Sequence, residues 1–208
     1  MRTTAIIVAA GAGSRFGRPK HSALLANIEL WQRSVDAFAA SGTDQIVVVG
    51  DVPGGLPGGR RRRDSVAIGL AAVAPGTEWV LIHDAARPLI TAELIARVVE
   101  RSMVGDVDGV IPAVPLADTI KRVDGESVLE TVDRSALVSV QTPQAFRLSV
   151  LMDAHAADQL DATDDAAMVE RHGGTVVRVM GDPMNFKITV PEDLVLADAH
   201  LRAVAGRE

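Results

Sequence analysis

Apolar stretches of strand length alternate with stretches of helical period along this chain, and that alternation constrains its fold more than any other feature. Ala5 to Ala9 is a continuous apolar run that turns at once into a glycine loop, the pattern of a strand buried on both faces. Leu30 to Ala40 carries Leu30, Trp31, Val35, Phe38 and Ala39 along one helical stripe, and Gly42 stands where a helix stops. Ile46 to Val49 is the next strand. Pro53 to Gly59 is a Pro/Gly-rich loop leading into four arginines, after which Asp64 or Ser65 is expected to cap a short helix through Ala72. Trp79 to Ile82 reads as a buried strand, Thr91 caps a helix to about Met103, and Gly109 to Val114 returns as strand.

That rhythm breaks between Thr119 and Val132. Two strand-like runs there flank Asp124-Gly125, a strong hairpin signal, so a β-hairpin arm over about 117–134 is expected to project from the body. Beyond it the pattern predicts a strand near Val138 to Gln141, a helix from Leu148 to about Ala157, a helix from Thr163 to His172, a strand from Val176 to Met180, and a last helix opened by Pro191, Glu192 and Asp193. The expected architecture is an α/β, Rossmann-like, mainly parallel twisted sheet with helices on both faces, forming one domain over residues 1–208. Such sheets bind ligands beyond the carboxyl ends of their strands, which directs attention to the loops after Ala9, Gly50, Ile82, Val114 and Gln141.

Composition removes several classes of function. A net charge of −6 argues against nucleic-acid binding, which depends on an excess of Lys and Arg. With no cysteine, disulfides, thiolate metal sites and a thiol nucleophile are excluded, in keeping with a reducing, cytoplasmic setting. No apolar run approaches a membrane span, and no signal-cleavage pattern follows the first strand. Of the 21 basic residues only Lys20, Lys121 and Lys187 are lysines, so a lysine in this chain draws notice as a compact charge suited to phosphate oxygens.

The first loop, Ala9-Ala10-Gly11-Ala12-Gly13-Ser14-Arg15-Phe16-Gly17-Arg18-Pro19-Lys20, combines small residues that let backbone N–H groups approach a phosphate chain with three nearby cations. A dinucleotide-binding fingerprint would need glycine at the position of Phe16, and a phosphate-binding Walker loop would need Gly-Lys followed by Ser or Thr. After the Trp79 strand comes His83-Asp84-Ala85-Ala86-Arg87-Pro88. Arg87 there can clamp a phosphate, Asp84 can accept substrate hydroxyls or help hold a metal, and His83 is expected to pack or fix the loop.

With these segments in hand the chain resembles the 2-C-methyl-D-erythritol 4-phosphate cytidylyltransferases, a family of the nucleotide-diphospho-sugar transferase type. Eight segments in order carry the resemblance: AAGAGSRFGRPK, GGRRRRDSV from Gly58, HDAARP, ADTIKR from Ala117, TVDR from Thr131, QTPQAF from Gln141, TDDA from Thr163, and NFKITVPEDL from Asn185. The resemblance implies that Ala9, Ala10, Gly11 and Gly13 line the nucleotide and that Gly58, Gly59 and Ser65 recognise cytosine. It implies that Arg15 and Lys20 meet the triphosphate and that Lys187 contacts the reacting α-phosphate, these three being the catalytic cations. Asp84, Arg87, Thr163 and Lys187 would hold the methylerythritol phosphate, together with Thr119 and Arg134 from the arm of a partner subunit in a homodimer. Within the arginine run the family's usual Arg corresponds to Arg62, leaving Arg60, Arg61 and Arg63 as expected solvated charges. Val8 stands where the family commonly has Pro, and the short Arg15 to Lys20 spacing also resembles molybdenum-cofactor nucleotidylyltransferases.

The reaction so implied joins CTP and 2-C-methyl-D-erythritol 4-phosphate with release of pyrophosphate, in isoprenoid precursor synthesis. The attacking phosphate is already ionised, so no general base is needed; positioning and cations carry the chemistry, with Mg²⁺ held mainly by the triphosphate and no protein metal ligand assigned. A molybdopterin or sugar-phosphate nucleotidylyltransferase is the nearest alternative. A dinucleotide-dependent oxidoreductase would need an acidic residue at the end of the second strand, where Asn27 and Glu29 instead precede a helix, and a catalytically dead nucleotide-binding subunit sits poorly with both Lys20 and Lys187 present.

Overall fold

The computed structural model describes residues 1–11, 23–157 and 162–206. In chain order the strands are β1 (Thr3–Val8), β2 (Leu24–Leu25), β3 (Ile28–Glu29), β4 (Gln45–Val49), β5 (Trp79–Asp84), β6 (Gly109–Pro115), β7 (Ile120–Asp124), β8 (Ser127–Val132), β9 (Val138–Val140), β10 (Gln144–Arg147) and β11 (Val176–Met180). The helices are α1 (Leu30–Ala40), α2 (Arg62–Ala71), α3 (Ala92–Ser102), α4 (Leu148–Ala157), α5 (Ala166–Arg171) and α6 (Pro191–Ala205).

The main sheet runs β4–β1–β5–β10–β6–β11, with β9 also paired to β6. β1 is parallel to both β4 and β5, β11 is parallel to β6, and β10 and β9 run antiparallel to their neighbours. The register sets Val8 beside Asp84, so β1 and β5 deliver their last residues to the same edge of the sheet.

The apolar runs explain the layering. Side chains of a strand alternate between faces, and in β1 Ala5 and Ile7 join one core while Ile6 joins the other. The first core gathers Phe38 of α1 and Leu94, Ile95 and Val98 of α3; the second gathers Val66 and Leu70 of α2, Leu151 of α4, and Met168 and Val169 of α5. Gly69 lets α2 lie directly on β1, since a Cβ there would stand 2.4 Å from a methyl of Ile6. A third cluster, Leu25, Leu30, Leu89, Ile188 and Ala197, seats α6 and the chain before it.

The hairpin of β7 and β8 forms its own two-stranded sheet, and Val123, Val128 and Leu129 on it are exposed. Among the described residues no helix is long and apolar enough to cross a membrane.

Four sequence expectations change. β10 lies where no strand was expected, because Pro143 interrupts the run that signals it and a proline normally argues against a central strand. α2 begins at Arg62, before Asp64: the Asp64 carboxylate reaches back to accept from the Arg61 backbone N–H at 3.1 Å, capping from inside the first turn. α5 starts at Ala166 and not at Thr163, with Asp164 accepting from the Ala167 N–H at 3.1 Å. Arg63 is buried, not solvated, and donates to the carbonyl of His155 at 3.0 Å.

His83 is fully buried in β5, edge-on to Phe38 with ring centroids 5.4 Å apart, and its Nδ1 lies 3.0 Å from Thr142 Oγ1. Burial pushes its pKa down to about 4, against a smaller upward pull from Asp84. The unfolded chain binds a proton here near pH 6.5 and the folded chain does not, so stability is lost as pH falls from about 6.5 towards 4. An NMR titration of the ring should show His83 neutral at about pH 5.5; a ring that titrates near 6.5 in the folded protein would contradict this burial.

Candidate active site

Asp84 closes β5 at the ligand edge of the sheet and is almost wholly buried. Both of its carboxylate oxygens are taken by cations. Arg62 Nε donates to Oδ1 at 3.0 Å and Lys187 Nζ donates to Oδ2 at 2.7 Å. Arg62 then spans to a second carboxylate, donating from Nη1 to Asp165 Oδ2 at 2.6 Å, and the other oxygen of Asp165 accepts from His155 Nε2 at 3.2 Å. A run of alternating charge, Lys187–Asp84–Arg62–Asp165, closed by the hydrogen bond to His155, thus links the ends of β5, α2, α4 and α5 to the segment before α6.

Burial alone would raise the pKa of Asp84, but Arg62 and Lys187 outweigh it and hold the carboxyl well below its ordinary range. Asp165, fully buried, is likewise held low by Arg62 and by the hydrogen bond from His155, against the opposing effect of its burial. Arg62 shows the reciprocal effect: burial opposes its charge, and Asp165 and Asp84 together raise its pKa above the ordinary value. Each Asp84 oxygen thus carries one charge-assisted hydrogen bond from a cation of the chain itself.

The backbone around Asp84 is fixed from the neighbouring strands. Its N–H donates to Thr142 Oγ1 at 3.1 Å. Gln141 grips the backbone of Asp182 twice, donating to its carbonyl at 2.7 Å and accepting from its N–H at 3.1 Å. Asn185, fully buried, donates to the Thr142 carbonyl at 2.9 Å, and Ile188 donates its N–H to the Ala86 carbonyl at 2.7 Å. With Asn185 and Ile188 turned inward, Lys187 between them points out to Asp84, its side chain 45% exposed. Arg87 ties the same pieces together, donating to the carbonyls of Asn185 at 2.8 Å and Val140 at 3.2 Å, while its Nε has no hydrogen-bond partner among the described residues.

These groups surround a pocket of about 250 Å³, whose lining includes Arg62, Asp84, Arg87, Thr163 and Lys187, and also Gln141, Thr142, Gln144 and Asp164. Four of the sequence-predicted residues, Asp84, Arg87, Thr163 and Lys187, therefore meet in one place. Three cations face two carboxylates there, which suits an anionic ligand.

The predicted nucleotide residues form a second group, away from the pocket lining. Gly58 abuts Ala10 so closely that a Cβ on it would stand 2.2 Å from the Ala10 Cβ, and the Gly59 N–H donates to Ser65 Oγ at 3.0 Å. Ala9 is buried next to the end of β4, with its N–H on the Val49 carbonyl at 2.7 Å, and Gly11 is exposed. Gly13, Arg15 and Lys20 lie outside the described residues. Thr119 and Arg134 are not brought to the pocket within the chain: Thr119 is exposed at the base of the arm, and the Arg134 guanidinium donates to the carbonyls of Leu116, Ala117 and Asp118.

Asp165, His155, Gln141, Thr142 and Asn185 were not singled out as site residues from sequence, and Arg62 was set apart only as the family's usual Arg, with no role assigned to it. Arg62 is one of four adjacent arginines, and either aspartate of Thr163-Asp164-Asp165 reads equally well as a helix cap. Arg62→Ala should cost about 3 to 5 kcal/mol in equilibrium unfolding, because buried Asp165 loses its guanidinium and Asp84 keeps only Lys187. Arg61→Ala, at an exposed pair with Asp64, should cost less than about 1 kcal/mol.

Comparison with known proteins agrees with this geometry. The family model described as 2-C-methyl-D-erythritol 4-phosphate cytidylyltransferase matches residues 55–203. The chain is 45% identical to the 2-C-methyl-D-erythritol 4-phosphate cytidylyltransferase of Rhodococcus jostii over 94% of this chain and 93% of that one. It is 40% identical to that of Streptomyces avermitilis over 96% and 92% of the two chains. The crystal structure of the Thermus thermophilus enzyme of the same name superposes with a TM-score of 0.81 at 34% identity, covering 95% of this chain and 98% of that one. A mainly parallel sheet ending in Asp84, a cation-rich pocket beside it and close relatedness over nearly the whole length lead to one conclusion: the chain belongs to the 2-C-methyl-D-erythritol 4-phosphate cytidylyltransferase family.

Proposed function

We propose that this chain transfers the cytidylyl group of CTP to the phosphate of 2-C-methyl-D-erythritol 4-phosphate, giving 4-diphosphocytidyl-2-C-methyl-D-erythritol and pyrophosphate in the cytoplasm. The observation that carries this reading is the pocket itself, in which half-exposed Lys187 and partly buried Arg87 flank Asp84 at the end of β5. A phosphate oxygen of the sugar phosphate attacks the α-phosphorus of CTP; the bond from that phosphorus to the oxygen bridging to the β-phosphate breaks, and pyrophosphate leaves with both electrons. The nucleophile is already an anion, so catalysis needs alignment and positive charge, not a base.

In this reading Arg87 and Thr163 hold the sugar phosphate and Asp84 accepts from its hydroxyls. Lys187 exchanges its contact with Asp84 for the α-phosphate, where negative charge grows in the transition state. Arg62 stays on Asp84 throughout, so the carboxylate keeps one cation when Lys187 moves. Ala9, Ala10, Gly11 and Gly13 line the nucleotide, Gly58, Gly59 and Ser65 meet the cytosine, and Arg15 and Lys20 meet the triphosphate. The tight approach of Gly58 to Ala10 supports a base site sized for a pyrimidine.

Magnesium belongs to the same proposal. Among the described residues no three His, Asp or Glu side chains are grouped to hold a metal ion, and the ion would rest chiefly on triphosphate oxygens. Bound there, it would neutralise phosphate charge.

A homodimer with shared sites completes the reading: the exposed Val123, Val128 and Leu129 suit burial against a second copy, and a two-fold arrangement would carry each Thr119 and Arg134 to the partner's pocket.

The reading is tested by pyrophosphate release with each of the four nucleoside triphosphates, with and without methylerythritol phosphate. CTP should be strongly preferred and both substrates required; equal turnover of GTP would overturn it. Lys187→Ala should lower kcat by about 100-fold at saturating substrates with the fold intact. Mixing Arg134→Ala with Lys187→Ala chains under subunit exchange should restore up to about a quarter of wild-type activity, since one site of each hybrid dimer has both residues. No recovery would place Arg134 in its own subunit's service.

A further inference from the structure

Asp165 departs from the ordinary behaviour of a residue in its position. It occupies the N-cap of α5, where an aspartate normally accepts from the helix's free N–H groups, yet its carboxylate makes no cap bond. Its neighbour Asp164 supplies that bond instead. The Asp165 carboxylate is fully buried and is spent on Arg62 at 2.6 Å and His155 at 3.2 Å. Burying a carboxylate is costly, and a neutral cap would satisfy the helix, so helix formation does not account for the charge.

We infer that Asp165 is a positioning residue for the sugar-phosphate half of the pocket, acting through Arg62 and held in place from behind by His155.

The geometry runs in both directions from the carboxylate. Forward, it draws one end of the Arg62 guanidinium, which leaves Nε aimed at Asp84 Oδ1 at 3.0 Å and so sets where Asp84 presents its other oxygen. Along the chain it is two residues from Thr163 in the pocket lining, so anchoring Asp165 also fixes the loop that carries Thr163. Behind it, His155 stands on α4 with its side chain only 6% exposed, and Arg63 donates to the His155 carbonyl at 3.0 Å. Adjacent arginines of α2 thus reach the two sides of one anchor: Arg62 takes the Asp165 carboxylate and Arg63 the His155 backbone. The Ser65 hydroxyl assigned to cytosine bonds elsewhere, to the Gly59 N–H at 3.0 Å and the Arg61 carbonyl at 3.4 Å, so disturbance of the anchor falls first on the sugar phosphate.

The assignment rests on the proposed cytidylyl transfer, and steady-state kinetics with each substrate varied in turn tests it. Asp165→Asn keeps the shape and removes the charge; it should raise KM for methylerythritol phosphate on the order of tenfold while KM for CTP changes less than about twofold. His155→Leu should shift KM the same way, and His155→Gln, which keeps an N–H donor for Asp165, should restore most of it. The two His155 variants carry the test if Asp165→Asn does not fold. A purely structural role would lower the unfolding midpoint and leave the KM for methylerythritol phosphate unmoved, or raise both KM values alike, and either result overturns the assignment. Lack of turnover by the wild-type enzyme would instead strike the functional reading on which the assignment stands.

Discussion

One guanidinium stands between two buried carboxylates, and the site is organised around it. An isolated carboxylate taken out of water at the end of β5 would take up a proton or pull the strand end into solvent. Arg62 prevents both at Asp84 and does the same at Asp165, and each acid in turn keeps Arg62 charged against its own burial. Because the three groups come from β5, the first turn of α2 and the start of α5, the pairing also sets the spacing of those elements at the ligand edge of the sheet. The same electrostatics that permits burial therefore positions the pocket.

Lys187 shows the complementary design. It is paired with Asp84 but remains 45% exposed, so its ammonium can leave for a phosphate without stranding a buried charge. The backbone around it is far less free. Asn185 and Ile188 are fully buried on either side, and Gln141 clamps Asp182 a few residues upstream. A mobile head on a rigid stem is what charge transfer to a developing anion requires, since preorganisation is lost if the stem moves too.

Much of this was legible in the sequence. The strand and helix alternation implied the sheet because parallel strands buried on both faces leave continuous apolar runs, and β11 and α4 fall where their periodicity places them. Asp84, Arg87, Thr163 and Lys187 stood out through chemistry at predicted loop positions and through the family motifs they belong to, and the fold brings them together. What stayed hidden has physical reasons. β10 carries a proline immediately before it, and local propensity cannot show that strands on both sides will hold it in the sheet. The resemblance set Arg62 apart from Arg63 without giving it a role, and local chemistry cannot show that the roughly 100° between successive helical residues directs the first to two acids and the second to a carbonyl of α4. Asp165 resembles a cap, and only its burial reveals that the charge serves Arg62.

The dependence of the site on this bridge is tested most directly by a double-mutant cycle between Arg62→Met and Asp165→Asn, measured by equilibrium unfolding. If the guanidinium is there to neutralise the buried acid, losing both partners together should cost at least about 1 kcal/mol less than the sum of the single losses. Additive losses would show that Arg62 and Asp165 contribute independently, and the bridge could then not be the constraint on which the pocket is built.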